Sequence, residues 1–166
     1  MTTRAVAARK TVLERTYRAS LRDVWELWTT KAGFESWWGP GGFAVRVKEL
    51  DLRPGGQLLY AMTAVDPPQV EFMRRANMPL TTEAQLTYTE VVPEERLSYQ
   101  HVADFIPGVR PYSVGHLVEL QRVGKDQVRM VLTIDAMHSE EWTQRAQAGW
   151  ESQLTKLDAR FGARAG

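Results

Sequence analysis

The chain has 166 residues, no cysteine, and 21 basic against 20 acidic side chains, a net charge of +1. That length suits one domain able to bury a core without covalent staples. The missing thiols exclude disulfide scaffolds, thiolate nucleophiles, cysteine–zinc sites and iron–sulfur clusters. Charges of both signs are interspersed, which speaks against a surface that tracks nucleic-acid phosphates. No apolar run reaches the roughly 18 residues of a membrane span. The N-terminal stretch MTTRAVAARKTVLER has no apolar h-region, so a secretory signal is not expected and the cytoplasm is the expected compartment.

Residues 1–9 read as a flexible arm and 10–163 as one domain. Lys10–Ala19, rich in β-branched and aromatic residues, reads as a strand. Ser20, with Asp23 three residues on, opens a helix whose apolar face carries Leu21, Val24, Trp25 and Trp28. A second short helix over Thr29–Trp38 ends at Gly39-Pro40-Gly41-Gly42. Neighbours on a helix do not share a face. One of Trp37 and Trp38 therefore packs in the core while the other approaches a cavity or the surface; the pattern does not say which, and Trp38 is carried as the candidate.

Period-two alternation then runs through 43–48, 58–62, 86–92, 97–101, 114–120 and 128–134, with turns at Pro54-Gly55-Gly56, Pro93-Glu94-Glu95 and Gly124-Lys125-Asp126. Residues 66–83 interrupt this rhythm. VEFMRRANM, bracketed by Pro67-Pro68 and Pro79, is a possible short helix, and Phe72, Met73 and Met78 on it form either a lid or a small satellite core. The last element is the clearest helix. Ser139 caps it, Glu140 and Glu141 suit its positive end, and Trp142, Ala146, Trp150, Leu154, Leu157 and Phe161 share a stripe. It extends for about 25 residues, on the order of 37 Å.

The order strand, two helices, six strands, long helix predicts an α+β fold with a curved antiparallel sheet of about seven strands. A long helix laid across a curved sheet leaves room beneath it, the natural place for a ligand. Strand parity puts Tyr60, Tyr88, Tyr99, His101 and His116 on inward faces. If the loop 104–111 is symmetric about Pro107-Gly108, Tyr99 sits opposite His116 with His101 as a diagonal neighbour. Two imidazoles and a phenol on an apolar wall are a polar anchor for a ligand, an acid–base pair, or histidines satisfied within the core. Asp104 and Arg110 flank the loop that carries Phe105, and either pair across it or sit at a pocket mouth with Tyr112 on the same rim. Trp150 faces the cavity from the helix.

The segments YRASLRDVWELWT, Trp37-Trp38 before Gly-Pro, LDLRPGGQLLY, LTYTEVVPEERLSY and GWESQLTKL occur in an order that resembles the activators of the ninety-kilodalton heat-shock chaperone ATPase, a family of the START-like, or SRPBCC, superfamily. The resemblance covers residues 10–161 and implies a helix-grip fold with a hydrophobic cavity; it carries over no catalytic residues. The 66–83 excursion and the DFIPGVRPY loop depart from the family's usual turns.

Three functions are compatible with this reading. The first is binding of a small hydrophobic or aromatic ligand through Trp38, Tyr60, Phe72, Met73, Tyr88, Tyr99, His101, Phe105, Tyr112, His116 and Trp150. The second is a chaperone-cofactor-like interaction module, by family analogy alone. The third is an enzyme of the cyclase, dehydratase or hydrolase type acting on an aromatic substrate. No cofactor is expected. No metal is expected either, because His101, His116 and His138 lack ligand spacing. A homodimer through Lys10–Ala19 as an edge strand is possible; nucleic acid and membrane are not expected partners.

Overall fold

The computed structural model describes residues 10–39, 41–104, 106–162 and the backbone of 164–165; the arm expected over residues 1–9 lies outside them. The elements run β1 (Thr11–Arg18), α1 (Leu21–Thr29), α2 (Lys31–Glu35), β2 (Phe43–Leu50), β3 (Gln57–Ala64), α3 (Pro67–Arg75), β4 (Thr81–Val92), β5 (Arg96–Ala103), β6 (Tyr112–Gly124), β7 (Gln127–Ile134), α4 (Glu140–Phe161) and the two-residue β8 (Arg164–Ala165). The strands form one antiparallel sheet in the order β2-β3-β4-β5-β6-β7-β1-β8. This is the expected α+β helix-grip layout: seven principal strands curl around the C-terminal helix, and two short helices follow the first strand.

Local chemistry sets the boundaries. The Ser20 side chain accepts from Asp23 N at 3.0 Å to start α1, and Ser139 accepts from Trp142 N to start α4. Gly162, at φ 62°, closes α4 in the left-handed conformation that glycine adopts without strain. Register shifts between Val47 and Glu49, Tyr88 and Glu90, and Arg122 and Gly124 are bulges that bend the sheet. The excursion helix α3 begins at Pro67, earlier than VEFMRRANM suggested, because proline suits the first helical position. β1 is the last long strand of the sheet: it pairs with β7 along its length, and its other side meets β8 at Arg15 and Thr16.

The core lies between the sheet's inner face and the helices. Leu58, Leu86, Leu97, Met130 and Leu132 from the sheet are fully buried, as are Leu154 and Leu157 from α4. Between them an aromatic wedge descends from α1 and α2. Trp28 lies edge-on to Trp37 at 4.8 Å and to Trp38 at 5.8 Å, and Phe34 stacks on Trp38 at 4.3 Å. Trp37 is 1% exposed and donates its Nε1–H to Leu27 O at 2.8 Å, so it is the core member of the pair.

Candidate functional site

Beneath the first half of α4 the core stops short and leaves a cavity of about 350 Å³. That volume lies at the lower end of small-molecule sites. Its roof is Ala146, Gly149, Trp150 and Gln153 of α4. Its floor is Tyr60 and Met62 on β3, His101 and Ala103 on β5, Val114 and His116 on β6, and Ile134 on β7. Trp38, Gly39 and Met137 close the sides. The cavity exists because α4 presents alanine and glycine where a leucine would fill the space.

The sheet register brings the expected polar residues together. Tyr99 pairs with His116 across β5–β6, and Leu86 with His101 across β4–β5. The Tyr99 and His116 rings stack at 4.7 Å and 8°, with His101 6.3 Å and Trp150 5.7 Å from the His116 ring. His116 Nδ1–H donates to Val114 O at 3.1 Å, which leaves Nε2 as an acceptor. Burial, reinforced by the neighbouring His101, pushes the His116 pKa down to about 4, against the smaller opposing effects of Val114 O and Asp135. Burial lowers His101 too, with Asp104 pulling the other way. Burial raises Tyr60, offset in part by a hydrogen bond with Trp38, and raises Tyr99 well above its ordinary range. At neutral pH these tyrosines are protonated and His116 is uncharged. The floor therefore offers hydrogen bonds rather than ion pairs.

Of the residues singled out from the sequence, Trp38, Tyr60, His101, His116 and Trp150 line the cavity. Tyr88 and Tyr99 do not: both are 1% exposed and packed deeper in the core, where Trp28 approaches Tyr99 at 6.5 Å. Phe72 and Met73 lie on α3, away from the cavity, with Phe72 exposed and Met73 buried. The start of α3 is tied down by Val65 N and Asp66 N, which both donate to Gly42 O, and Gln69 lies so close to Gly42 that a Cβ there would clash. Tyr112 is engaged elsewhere: its hydroxyl accepts from His138 N at 3.0 Å and bonds His138 Nδ1 at 2.9 Å, joining β6 to the entry of α4. Among the described residues no ion pair joins Asp104 to Arg110. Phe105 lies outside the described residues.

Sequence reasoning missed Gln153, Gly149 and Met137. Gln153 was within reach of helical spacing, three residues beyond Trp150 and so on the same face. It is 8% exposed, and its Nε2 is buried without an acceptor among the described residues.

The profile of the family described as Activator of Hsp90 ATPase homolog 1-like protein matches residues 18–162. The chain belongs to that family. Solved structures share its START-like fold. A protein from Chromobacterium violaceum is 19% identical with a TM-score of 0.70, covering 92% of this chain and 97% of its own. The AHSA1 protein from Silicibacter pomeroyi is 19% identical at 0.69, covering 92% and 96%. A protein from Arthrobacter aurescens is 20% identical at 0.71, covering 92% and 85%. The search of curated proteins finds no match. No described helix is long and apolar enough to cross a membrane.

Proposed function

We propose that the protein binds a small, uncharged, apolar or aromatic molecule in the cavity between α4 and the sheet, in the cytoplasm. The observation that carries this reading is the 350 Å³ space walled by Trp38, Trp150 and Met62, with the neutral His116 as its hydrogen-bonding group. An apolar body gains roughly 25 cal/mol for each Å² it removes from water. A charged ligand would have to give up its hydration among these walls with no counter-ion, which favours neutral molecules.

Titration with a panel of neutral aromatic and aliphatic compounds, read by tryptophan fluorescence, tests this. At least one member should quench or shift the emission, and Trp150→Phe should remove part of that change. A panel in which nothing alters the emission of the wild type or competes with a neutral fluorescent probe would overturn the proposal.

A further inference from the structure

Two central strands of the sheet, β4 and β5, part at one end. β4 pairs with β3 from Thr81 to Thr87, but its pairing with β5 ends at Leu86 and His101. β5 continues through Val102 and Ala103 along β6, so Glu83–Gln85 and Val102–Ala103 face each other across a gap without the ladder that joins the rest of the two strands. Interior strands normally pair fully, because an unpaired edge leaves peptide groups without partners. On the outer side of this gap lies a second hollow of about 340 Å³, lined by Lys48, Glu83, Gln85 and Asp104 around the gap. Tyr60 and His101 belong to the walls of both this hollow and the inner cavity. Two side chains are thus common to the walls of both spaces. Tyr60 lies edge-on to Trp38 at 6.2 Å and to Phe34 at 5.3 Å, whereas no hydrogen bond fixes the His101 ring among the described residues.

The outer hollow differs in chemistry from the inner one. Lys48 is paired with Glu83, which leaves Asp104 as an exposed carboxylate with no ion pair among the described residues. The hollow therefore has an excess of one negative charge.

From the shared wall and the break in the ladder we infer that inner cavity and outer hollow form one two-chambered site, joined at His101, for an elongated amphiphile whose neutral ring system occupies the inner chamber and whose short tail carries a basic amine into the outer one. This rests on the proposed apolar-ligand function and adds the chemical class of the ligand. The amine stays in the partly solvated chamber near Asp104, so its charge need not enter the apolar cavity. A ligand with a carboxylate tail would meet the same charge as Asp104 and Glu83. His101 is the movable partition, and its ring must turn for the tail to pass.

Three naphthalenes of matched length test the inference: 2-propylnaphthalene, 3-(2-naphthyl)propylamine and 3-(2-naphthyl)propanoate, each titrated at pH 7.5 by tryptophan fluorescence. The amine should bind about tenfold more tightly than the hydrocarbon, as expected for a hydrogen bond to a charged group, and the carboxylate more weakly than either. Asp104→Asn should bring the amine to the hydrocarbon's affinity and leave the hydrocarbon unchanged. Gln85→Trp, which fills the hollow from the exposed outer face of β4, should do the same. Equal binding of hydrocarbon and amine, or an amine preference that survives both variants, overturns the two-chambered site while the apolar-ligand reading stands. Failure of all three compounds to bind removes both.

Discussion

The two halves of α4 cover the same sheet but enclose different interiors. The C-terminal half presents Leu154, Leu157 and Phe161 above β1; both leucines are fully buried and Phe161 packs on Tyr17 at 5.3 Å. Arg15 and Asp158 join this half to β1 at 3.4 Å. The N-terminal half presents Ala146, Gly149 and Trp150 above β3, β5 and β6, and the cavity lies there. The backbone scaffold is continuous, so the contrast comes from side-chain volume along one helix face. A filled half anchors the helix, and the anchored helix can hold an unfilled half open. Tight packing is normally required throughout an interior; here the wedge of Trp28, Trp37 and Trp38 closes the core on one side of the void and keeps it from collapsing.

The largest expected effect lies in the filled half. Leu154→Ala should destabilise the fold by about 2–5 kcal/mol, the range for a fully buried leucine, measured as a shift in urea midpoint at constant slope. Leu154 is 0% exposed in a region without slack, so a loss below about 1 kcal/mol would mean the halves do not differ as described.

His116 probes the wall of the hollow half by a different route. Its folded pKa of about 4 lies below the ordinary histidine value of about 6.5. The unfolded chain therefore takes up this proton first as pH falls. Stability from His116 is complete above pH of about 6.5 and is lost progressively towards pH 4, by an amount on the order of 3 kcal/mol. Urea unfolding at a series of pH values should show this slope in the wild type and a shallower one in His116→Phe. Identical slopes would mean the ring is already solvated and the chamber already wet.

The hollow half should also tolerate added bulk that the filled half would reject. Ala146→Phe places a ring in the void, and stability should change by no more than about 1 kcal/mol. Binding of any neutral probe found for the cavity should fall by at least an order of magnitude, about 1.4 kcal/mol. A strong loss of stability with binding intact would place the ligand elsewhere.

This contrast also marks where sequence reading reaches and where it ends. The alternation in 97–101 and 114–120 and the symmetric loop between them were enough to set Tyr99 opposite His116 and His101 beside it, and the sheet pairs them so. The long helix, its Ser139 cap and its buried stripe were legible for the same reason: each depends on spacing within one element. Depth is a different quantity. Tyr60, Tyr88 and Tyr99 share an inward face, yet Tyr60 reaches the cavity while Tyr88 and Tyr99 lie deeper in the core, with Trp28 of α1 against Tyr99. No pattern within a strand tells how far a wedge from another element descends. The position of α3 was illegible for a similar reason, since it depends on the contact of its first residues with Gly42 rather than on its own composition.

The smallest expected effect lies at the exposed part of the cavity's roof. Gly149 sits in the interior of α4 with ordinary helical backbone, and a Cβ built on it meets no atom within 4 Å. Glycine in a helix is less favourable than alanine by roughly 0.5–1 kcal/mol, because the unfolded chain has more backbone freedom to lose. In the filled half a new methyl group would have to displace its neighbours, whereas at exposed Gly149 it meets only solvent and the cavity's mouth, so Gly149→Ala should raise stability by about that 0.5–1 kcal/mol. The urea midpoint should rise with its slope unchanged, and neutral-probe binding should weaken only slightly, since one methyl takes little of a 350 Å³ chamber. A fall in the midpoint would mean that the roof of the cavity sits closer to its floor than this geometry places it, and the distinction between the two halves of the helix would be lost with it.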